Sequence, residues 1–256
     1  MRFYVSPESI FLDKNIIEIK DKSEIHHIRD VMRLEKGAII NVFDGKGREF
    51  SGVIDKINNV SIIIKIKDAL AFKYSMPFKV TLYQAIPKKS KMDFIVEKIV
   101  ELGVDRIAPI ITERTVPDIK DSGQKKVERW KRIANAAAKQ CGRVQLPIVS
   151  DIMDFNSALM ELKEKDLVIF AALHKDAQSL KALLKGSNPK NIGVFVGPEG
   201  DFSPREILLA KGIGCRLCSL GHLVLKSETA AIYILSCLGY EYMRLLKNPT
   251  ISDYND

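Results

Sequence analysis

Val194-Phe195-Val196-Gly197-Pro198-Glu199-Gly200-Asp201-Phe202-Ser203-Pro204-Arg205-Glu206 is the stretch whose reading decides the fold. Its apolar opening reads as the end of a buried strand. Gly197 and Gly200 then permit close backbone approach and unusual dihedrals. Ser203-Pro204-Arg205-Glu206 predicts a helix start, with Ser as N-cap, Pro at the first position and Glu at the third. Strand, glycine-bracketed loop and capped helix in succession belong to an α/β sheet. In open sheets of that class ligands bind at the carboxyl ends of the strands. Glu199 stands between the two glycines at such an end. The pattern is neither G-x-G-x-x-G nor a phosphate loop, so it implies neither a dinucleotide nor ATP.

A second segment has the same design. Leu217-Cys218-Ser219-Leu220-Gly221-His222-Leu223-Val224-Leu225-Lys226-Ser227-Glu228-Thr229-Ala230-Ala231 reads as a strand ending at Ser219, an irregular apolar loop, and a helix opening near Ser227–Glu228. Backbone groups of such a loop could embrace a flat heterocycle while leucines cover its faces. Glu228, Thr229 and Ala230 fall at the helix N-terminus, where amides are unpaired.

Outward from these segments the rhythm persists back to Phe78. Strands are expected at Lys79–Ala85, Arg106–Ile111, Leu167–Ala171, Ile192–Val196 and Arg216–Ser219. Helices are expected at Lys91–Leu102, Gln124–Cys141, Phe155–Lys163, Ala177–Leu184, Pro204–Lys211 and Glu228–Leu245. Such alternation predicts a parallel sheet covered by helices. The first 75 residues read differently. Strands Arg2–Val5, Ile16–Ile19, Ile39–Phe43, Glu49–Ile57 and Val60–Lys67 are separated by Gly, Asn and Asp turns, with one short helix near Ser23, and suggest a small β-barrel. Tyr74-Ser75-Met76-Pro77 is the expected boundary, and Asn248–Asp256 reads as a frayed polar tail.

Composition is that of a globular protein: 256 residues, 46% apolar and 28% charged. No apolar run is long enough to span a bilayer. The start MRFYVSPES has no apolar stretch typical of a signal peptide, and the four cysteines lack a secreted-scaffold pattern, so a reducing cytoplasm is expected. The net charge of +8 is uneven. Residues 76–145 hold 15 Lys/Arg against 8 Asp/Glu, while the segments on either side are near balance. A polyanion partner is one reading and a solvated lysine-rich surface the other. In the helix Gln124–Cys141, Val127, Trp130, Ala134, Ala137 and Cys141 share an apolar face that puts Trp130 in a core. Lys125, Arg129, Arg132, Lys139 and Arg143 form a basic stripe that could track a nucleic-acid backbone. Cys215 and Cys218 have C-x-x-C spacing with His222 and Cys237 downstream, but a buried strand turns residues three apart to opposite faces, so no metal is predicted. No hydrolase motif is present.

Together the two loop segments and their spacing resemble the SPOUT class of S-adenosylmethionine-dependent RNA methyltransferases. The whole chain looks like the family that methylates the N3 ring nitrogen of a uridine in small-subunit (16S) ribosomal RNA. The resemblance takes in MRFYV, His26-His27-Ile28-Arg29 with Arg33, Asp44-Gly45-Lys46-Gly47, and Lys88 to Lys91. It continues through Lys98 with Glu101-Leu102-Gly103-Val104, Arg129-Trp130, Ala137-Ala138-Lys139-Gln140-Cys141-Gly142-Arg143, GPEG and LG…LKSETA. Two positions depart from the family pattern, Asp201 where Gly is usual and Lys226-Ser227 where Arg-Thr is usual.

The resemblance implies a PUA-like RNA-binding β-barrel over 1–75 and a trefoil-knot α/β methyltransferase domain over 76–247. It further implies a homodimer acting on ribosomal RNA or the small ribosomal subunit. S-adenosylmethionine would be held by Gly197, Pro198, Glu199, Gly200, Ser219, Leu220, Gly221, Leu225, Glu228, Thr229 and Ala230, with Leu173 and His174 as a third wall. Arg114, Arg143 and Lys226 are candidates to stabilise negative charge on the uridine ring. Glu199 or Glu228 is a candidate to remove its proton, and capping is the alternative role for either. RNA contacts are expected from Arg2, His27, Arg29, Arg33, Lys88, Lys91, Arg114, Arg129, Arg132, Gln140 and Arg143. The competing readings are a non-catalytic RNA-binding protein of the same fold and a knot methyltransferase with another target such as transfer RNA.

Overall fold

The computed structural model describes residues 1–70, 76–116 and 122–242. Part of the expected boundary (Tyr74 and Ser75), the end of the last helix beyond Tyr242 and the tail Asn248–Asp256 lie outside the described residues. The chain resolves into two units by its internal packing, one from the described part of Met1–Ser75 with Asn135–Leu146, the other from Met76–Ala134 with Pro147 onward.

In the first unit, alternating apolar residues make strands β1 (Arg2–Tyr4), β2 (Ile10–Phe11), β3 (Ile16–Ile19), β4 (Ile39–Phe43), β5 (Glu49–Ile57) and β6 (Ile62–Leu70). Their order is β1-β4-β5-β6-β3-β2, antiparallel except for β1 against β4. The period-two pattern of β5 turns Phe50 and Ile54 inward, where they join Phe3, Ile17, Ile40, Val42, Ile62 and Ile64 in one core. Gly52 sits at a register shift between β5 and β6, and a Cβ there would lie 2.5 Å from Ile64 Cγ2, so only glycine lets the strands approach. Helix α1 (Lys22–His26) starts one residue before Ser23 because Asp21 caps it, accepting from the amides of Ser23 and Glu24. A π turn, His27–Val31, extends it, with the Met32 amide donating to the His27 carbonyl. The two-residue strand β2 was too short to show a period.

In the second unit the strands are β7 (Lys79–Ala85), β8 (Arg106–Ile111), β9 (Ile148–Val149), β10 (Met153–Asp154), β11 (Leu167–Ala171), β12 (Gln178–Ser179), β13 (Asn191–Val196) and β14 (Arg216–Ser219). They form a parallel sheet in the order β10-β8-β7-β13-β11-β14-β12, with β9 beside β8. Between them run α2 (Lys91–Glu101), α3 (Gly123–Cys141), α4 (Phe155–Met160), α5 (Leu180–Leu184), α6 (Pro204–Gly212) and α7 (Ser227–Tyr242). The expected helices Phe155–Lys163 and Ala177–Leu184 are shorter in the structure. The first becomes a 3-10 turn at Glu161–Glu164, and the second starts only after Ser179 caps it. Val127, Trp130, Ala134 and Ala137 of α3 are buried, as their spacing predicts.

The central strands are apolar on both faces, as parallel strands must be. Their core is aromatic: Tyr83 stacks on Phe195 at 4.4 Å, and Phe170 packs against Phe202 at 4.2 Å. Phe155 meets Phe170, Phe195 and Phe202. Phe202 belongs to the glycine-bracketed loop, so this cluster anchors that loop to the sheet.

Candidate functional site: a cavity at the carboxyl ends of three parallel strands

Strands β13, β11 and β14 lie side by side and run the same way, so their carboxyl ends open together. There a cavity of about 240 Å³ is lined by Ala171–Leu173, Val196–Glu199, Asp201, Cys218–Gly221, Leu223–Ser227 and Ala230. Three loops thus meet: the segment after β11, the Gly197–Gly200 bracket after β13, and the apolar loop between β14 and α7. Of the expected donor-binding residues, Leu173, Gly197, Pro198, Glu199, Ser219, Leu220, Gly221, Leu225 and Ala230 are in this lining, and so is Lys226, a candidate for charge stabilisation. His174, Gly200, Glu228 and Thr229 lie outside the lining. His174 instead accepts from the Asp176 amide through Nδ1 at 3.1 Å, and Thr229 is exposed.

Hydrogen bonds hold the loops in place. The Ser227 hydroxyl donates to the Gly197 carbonyl at 2.6 Å and accepts from Gln84 Nε2 at 2.9 Å. Gln84 also donates to the Ala85 carbonyl at 2.9 Å. All of Gln84, Gly197 and Ser227 are buried. This chain joins the end of β7, the loop after β13 and the start of α7. Sequence reasoning missed Gln84. The signal was a lone amide at the end of an apolar strand, where burial demands a partner.

Charge gathers at the rim. Lys91 Nζ lies 2.8 Å from Glu199 Oε1 and 3.7 Å from Glu228 Oε2. Glu199 also faces the Lys88 amide at 3.2 Å. Burial alone would push the Glu199 carboxyl up. The Lys91 ammonium and the backbone amides of Glu199 and Lys88 outweigh it and hold that carboxyl below the usual range. The Glu228 Oε2 atom has no hydrogen-bond partner among the described residues. Arg114 Nη1 donates to the Gly200 carbonyl at 2.7 Å, which sets this cation over the glycine bracket. Its loop is fixed by the Glu113 amide, which donates to Glu206 Oε1 at 2.9 Å, while Glu206 Oε2 accepts from the Ser203 amide in the capping box at the start of α6.

The other basic candidates divide. In the second unit Arg129 is bound to Asp93, with Nη2 at 2.6 Å, whereas Arg132 is exposed. In the first unit Arg2 pairs with Glu49 at 2.7 Å and covers the Phe43 ring at 4.4 Å. Arg29 pairs with Asp30 at 2.6 Å and also donates to Asn59. Lys139, part of the expected stripe, turns to the buried Glu24 instead. His27 is exposed and its ring makes a T-shaped contact with Phe3 at 5.7 Å, and Arg33 and Gln140 are exposed. The Arg143 amide donates to the Ala138 carbonyl beyond the end of α3. Cys215 and Cys218 are free and buried, and burial pushes each thiol up to about 12.

Comparison with known proteins places this arrangement. A family model described as an RNA methyltransferase domain matches residues 74–239, and one described as an RNA methyltransferase PUA domain matches residues 19–67. The chain is 31% identical to the ribosomal RNA small subunit methyltransferase E of Synechocystis sp. over 92% of its length and 76% of that protein's. It is 29% identical to the protein of the same name from Bacillus subtilis, over 85% and 88% of the two chains. A methyltransferase from Legionella pneumophila, solved with the bound cofactor SAM, superposes with a TM-score of 0.83 at 31% identity, covering 93% and 96% of the two chains. The ribosomal RNA small subunit methyltransferase E of Neisseria gonorrhoeae, solved bound to S-adenosyl methionine, gives 0.82 at 26% identity over the same shares. The α/β unit with its strand-end cavity is thus a methyltransferase domain behind an N-terminal PUA-like domain, and the chain belongs to the ribosomal RNA small subunit methyltransferase E family.

Proposed function

We propose that this protein methylates the N3 ring nitrogen of a uridine in small-subunit (16S) ribosomal RNA, with S-adenosylmethionine as donor. The observation that carries the reading is the cavity where β11, β13 and β14 end together. Its residues fit the donor: Leu173, Leu220, Leu223, Val224 and Leu225 offer apolar cover for a flat heterocycle, and the glycine-bearing loops offer backbone groups for its polar edge. Of the expected ligand set, His174, Gly200, Glu228 and Thr229 lie outside the lining.

When bound, the donor supplies an activated methyl group on a sulfonium, so the protein mainly aligns the acceptor. A uridine imide is a poor nucleophile while protonated. Arg114 and Lys226, beside the cavity loops, and Arg143 favour its anionic form and stabilise charge developing on the ring oxygens. Of the two candidate bases, Glu199 is engaged by Lys91 and held low in pKa, which makes it a weak proton acceptor and suits it to fixing the Lys88–Lys91 segment. Glu228, whose Oε2 makes no hydrogen bond and lies 3.7 Å from the same Lys91 ammonium, is the other candidate for the proton.

The PUA-like unit would grip RNA through His27, Arg29 and Arg33, together with Arg2, Gln140 and Arg143. Lys88, Lys91, Arg129 and Arg132 would add phosphate contacts from the methyltransferase domain. The target base would reach the donor from a single-stranded segment or by leaving its stack. A trefoil knot in the methyltransferase domain, a domain boundary near residue 75, a cytoplasmic location and a homodimer complete the reading. The dimer is supported by Tyr233 and Tyr240, two turns apart on α7 and 43% and 90% exposed. No helix among the described residues is long and apolar enough to cross a membrane.

The test is incubation with labelled S-adenosylmethionine and small ribosomal subunits lacking native base methylation, followed by digestion of the RNA. A labelled N3-methyluridine is the expected product. Label on another base, or label in transfer RNA but not in subunits when the two are incubated in parallel, would sink the substrate assignment. Absence of label from a folded preparation would sink the catalytic one.

A further inference from the structure

We infer that Asp201 is a positioning residue for the donor: its carboxylate clasps the Leu173 wall of the cavity to the loop after β13 and so sets donor affinity. This rests on the reading of the cavity as a S-adenosylmethionine site.

Asp201 holds a φ of +60°, in the left-handed region that few residues other than glycine tolerate. Its amide donates to the Pro198 carbonyl at 3.0 Å and closes the turn of the glycine bracket. The carboxylate then divides its two oxygens. Oδ1 accepts from the Phe202 amide at 2.8 Å, and Oδ2 accepts from the Leu173 amide at 2.9 Å. Phe202 is rooted in the aromatic core, so one side chain links that core to the segment leaving β11. Both Asp201 and Leu173 line the cavity. Ala172 is buried and its amide donates to the Cys218 carbonyl at 3.2 Å, but Leu173 is 65% exposed, so the bond from its amide to Asp201 is what ties this residue to the loop after β13. Gly197 closes the other side: a Cβ there would lie 3.3 Å from Asp201 Oδ1 and from the Asp201 Cα. A glycine at 201 would relieve the backbone but leave the Leu173 amide without this acceptor.

The experiment compares the parent protein with Asp201→Gly and Asp201→Asn. Three quantities are read: S-adenosylmethionine affinity by calorimetry, exchange of the Leu173 amide without donor, and thermal stability. Asp201→Gly should bind the donor about tenfold more weakly, equivalent to about 1.4 kcal/mol, and lose Leu173 protection, with a cooperative melt showing that it is folded. Asp201→Asn tolerates the left-handed backbone but has one acceptor oxygen for the two amides, so affinity should follow it: within about twofold of the parent where Leu173 protection is kept, and as weak as Asp201→Gly where the oxygen serves Phe202 and protection is lost. Unchanged affinity in Asp201→Gly would overturn the inference. So would an Asp201→Asn protein that keeps Leu173 protection yet binds as weakly as Asp201→Gly, because negative charge rather than the clasp would then be acting on the donor. A parent protein that binds no S-adenosylmethionine overturns the functional reading itself, whereas a parent that binds and variants that match it overturn only the role of Asp201.

Discussion

Replacing Ser227 by alanine removes a single oxygen that serves three elements. The hydroxyl satisfies the Gly197 carbonyl at 2.6 Å and one hydrogen of Gln84 Nε2 at 2.9 Å. Both groups belong to buried residues with little access to solvent. A buried acceptor left without its donor costs about 1–3 kcal/mol. Gln84 keeps its bond to the Ala85 carbonyl, so its share is the smaller part. The expected loss for Ser227→Ala is therefore about 2 kcal/mol, or a fall of about 4–8 °C in the melting temperature of a domain this size. Trp130, the single tryptophan, is buried in α3, so its fluorescence follows unfolding by urea directly. Gln84→Met, made alone and with Ser227→Ala, completes a cycle. The double variant should lose less than the sum of the two, since each single change strands a group that the other would remove. A loss under about 0.5 kcal/mol for Ser227→Ala, or strict additivity in the cycle, would refute the reasoning.

Three further outcomes are expected. Arg143→Ala should cut methyl transfer to ribosomal subunits strongly while leaving S-adenosylmethionine affinity nearly intact, and equal loss of both would remove it from the RNA side. Asp44 has no exposed side-chain surface and accepts from the Lys46 and Arg48 amides and from Arg48 Nε at 2.6 Å. Burial pushes its carboxyl up, but these bonds prevail and hold it below its ordinary value of 3.8. Such a group adds stability above its unfolded pKa, and that contribution disappears as pH falls from there through the lower native value. Asp44→Asn should therefore flatten the acid limb of a stability-versus-pH curve below about pH 4, and an unchanged limb would discount the bond network. Finally, Cys215 and Cys218, with thiols near 12, should resist iodoacetamide at pH 8 in the native protein while the half-buried Cys141 reacts. Equal labelling in intact-mass spectra would contradict their burial.

The strands β3, β4, β5, β7, β8, β11 and β14 were legible residue for residue because their apolar runs are dense and bounded by turn residues. The start of α6 was legible for a similar reason, since Ser203, Pro204 and Glu206 each carry a local preference for the place they occupy. The two cavity loops could be located because glycines and a strand-to-helix switch mark them. What joins the loops was not legible. Gln84 and Ser227 are 143 residues apart, and nothing local marks either as the other's partner. The same limit hid the turn of Lys139 toward Glu24 and the capture of Arg129 by Asp93. Helical spacing gives the face a side chain leaves from, while its partner is set by tertiary neighbours.

Glu206 imposes a narrow evolutionary constraint. Its two oxygens answer two backbone amides in different parts of the chain, Ser203 in the cap of α6 and Glu113 beside Arg114. Glutamine has one acceptor oxygen and could satisfy only one of them. Aspartate is a methylene shorter and would not span both. Glu206 is 2% and Ser203 6% exposed, so an unanswered Ser203 amide would be shut away from solvent. Either of the nearest replacements at this site therefore breaks one of the two bonds. A cation held over the glycine bracket thus depends on a helix cap that never touches the cavity, and the cap and the placement of Arg114 can change only together.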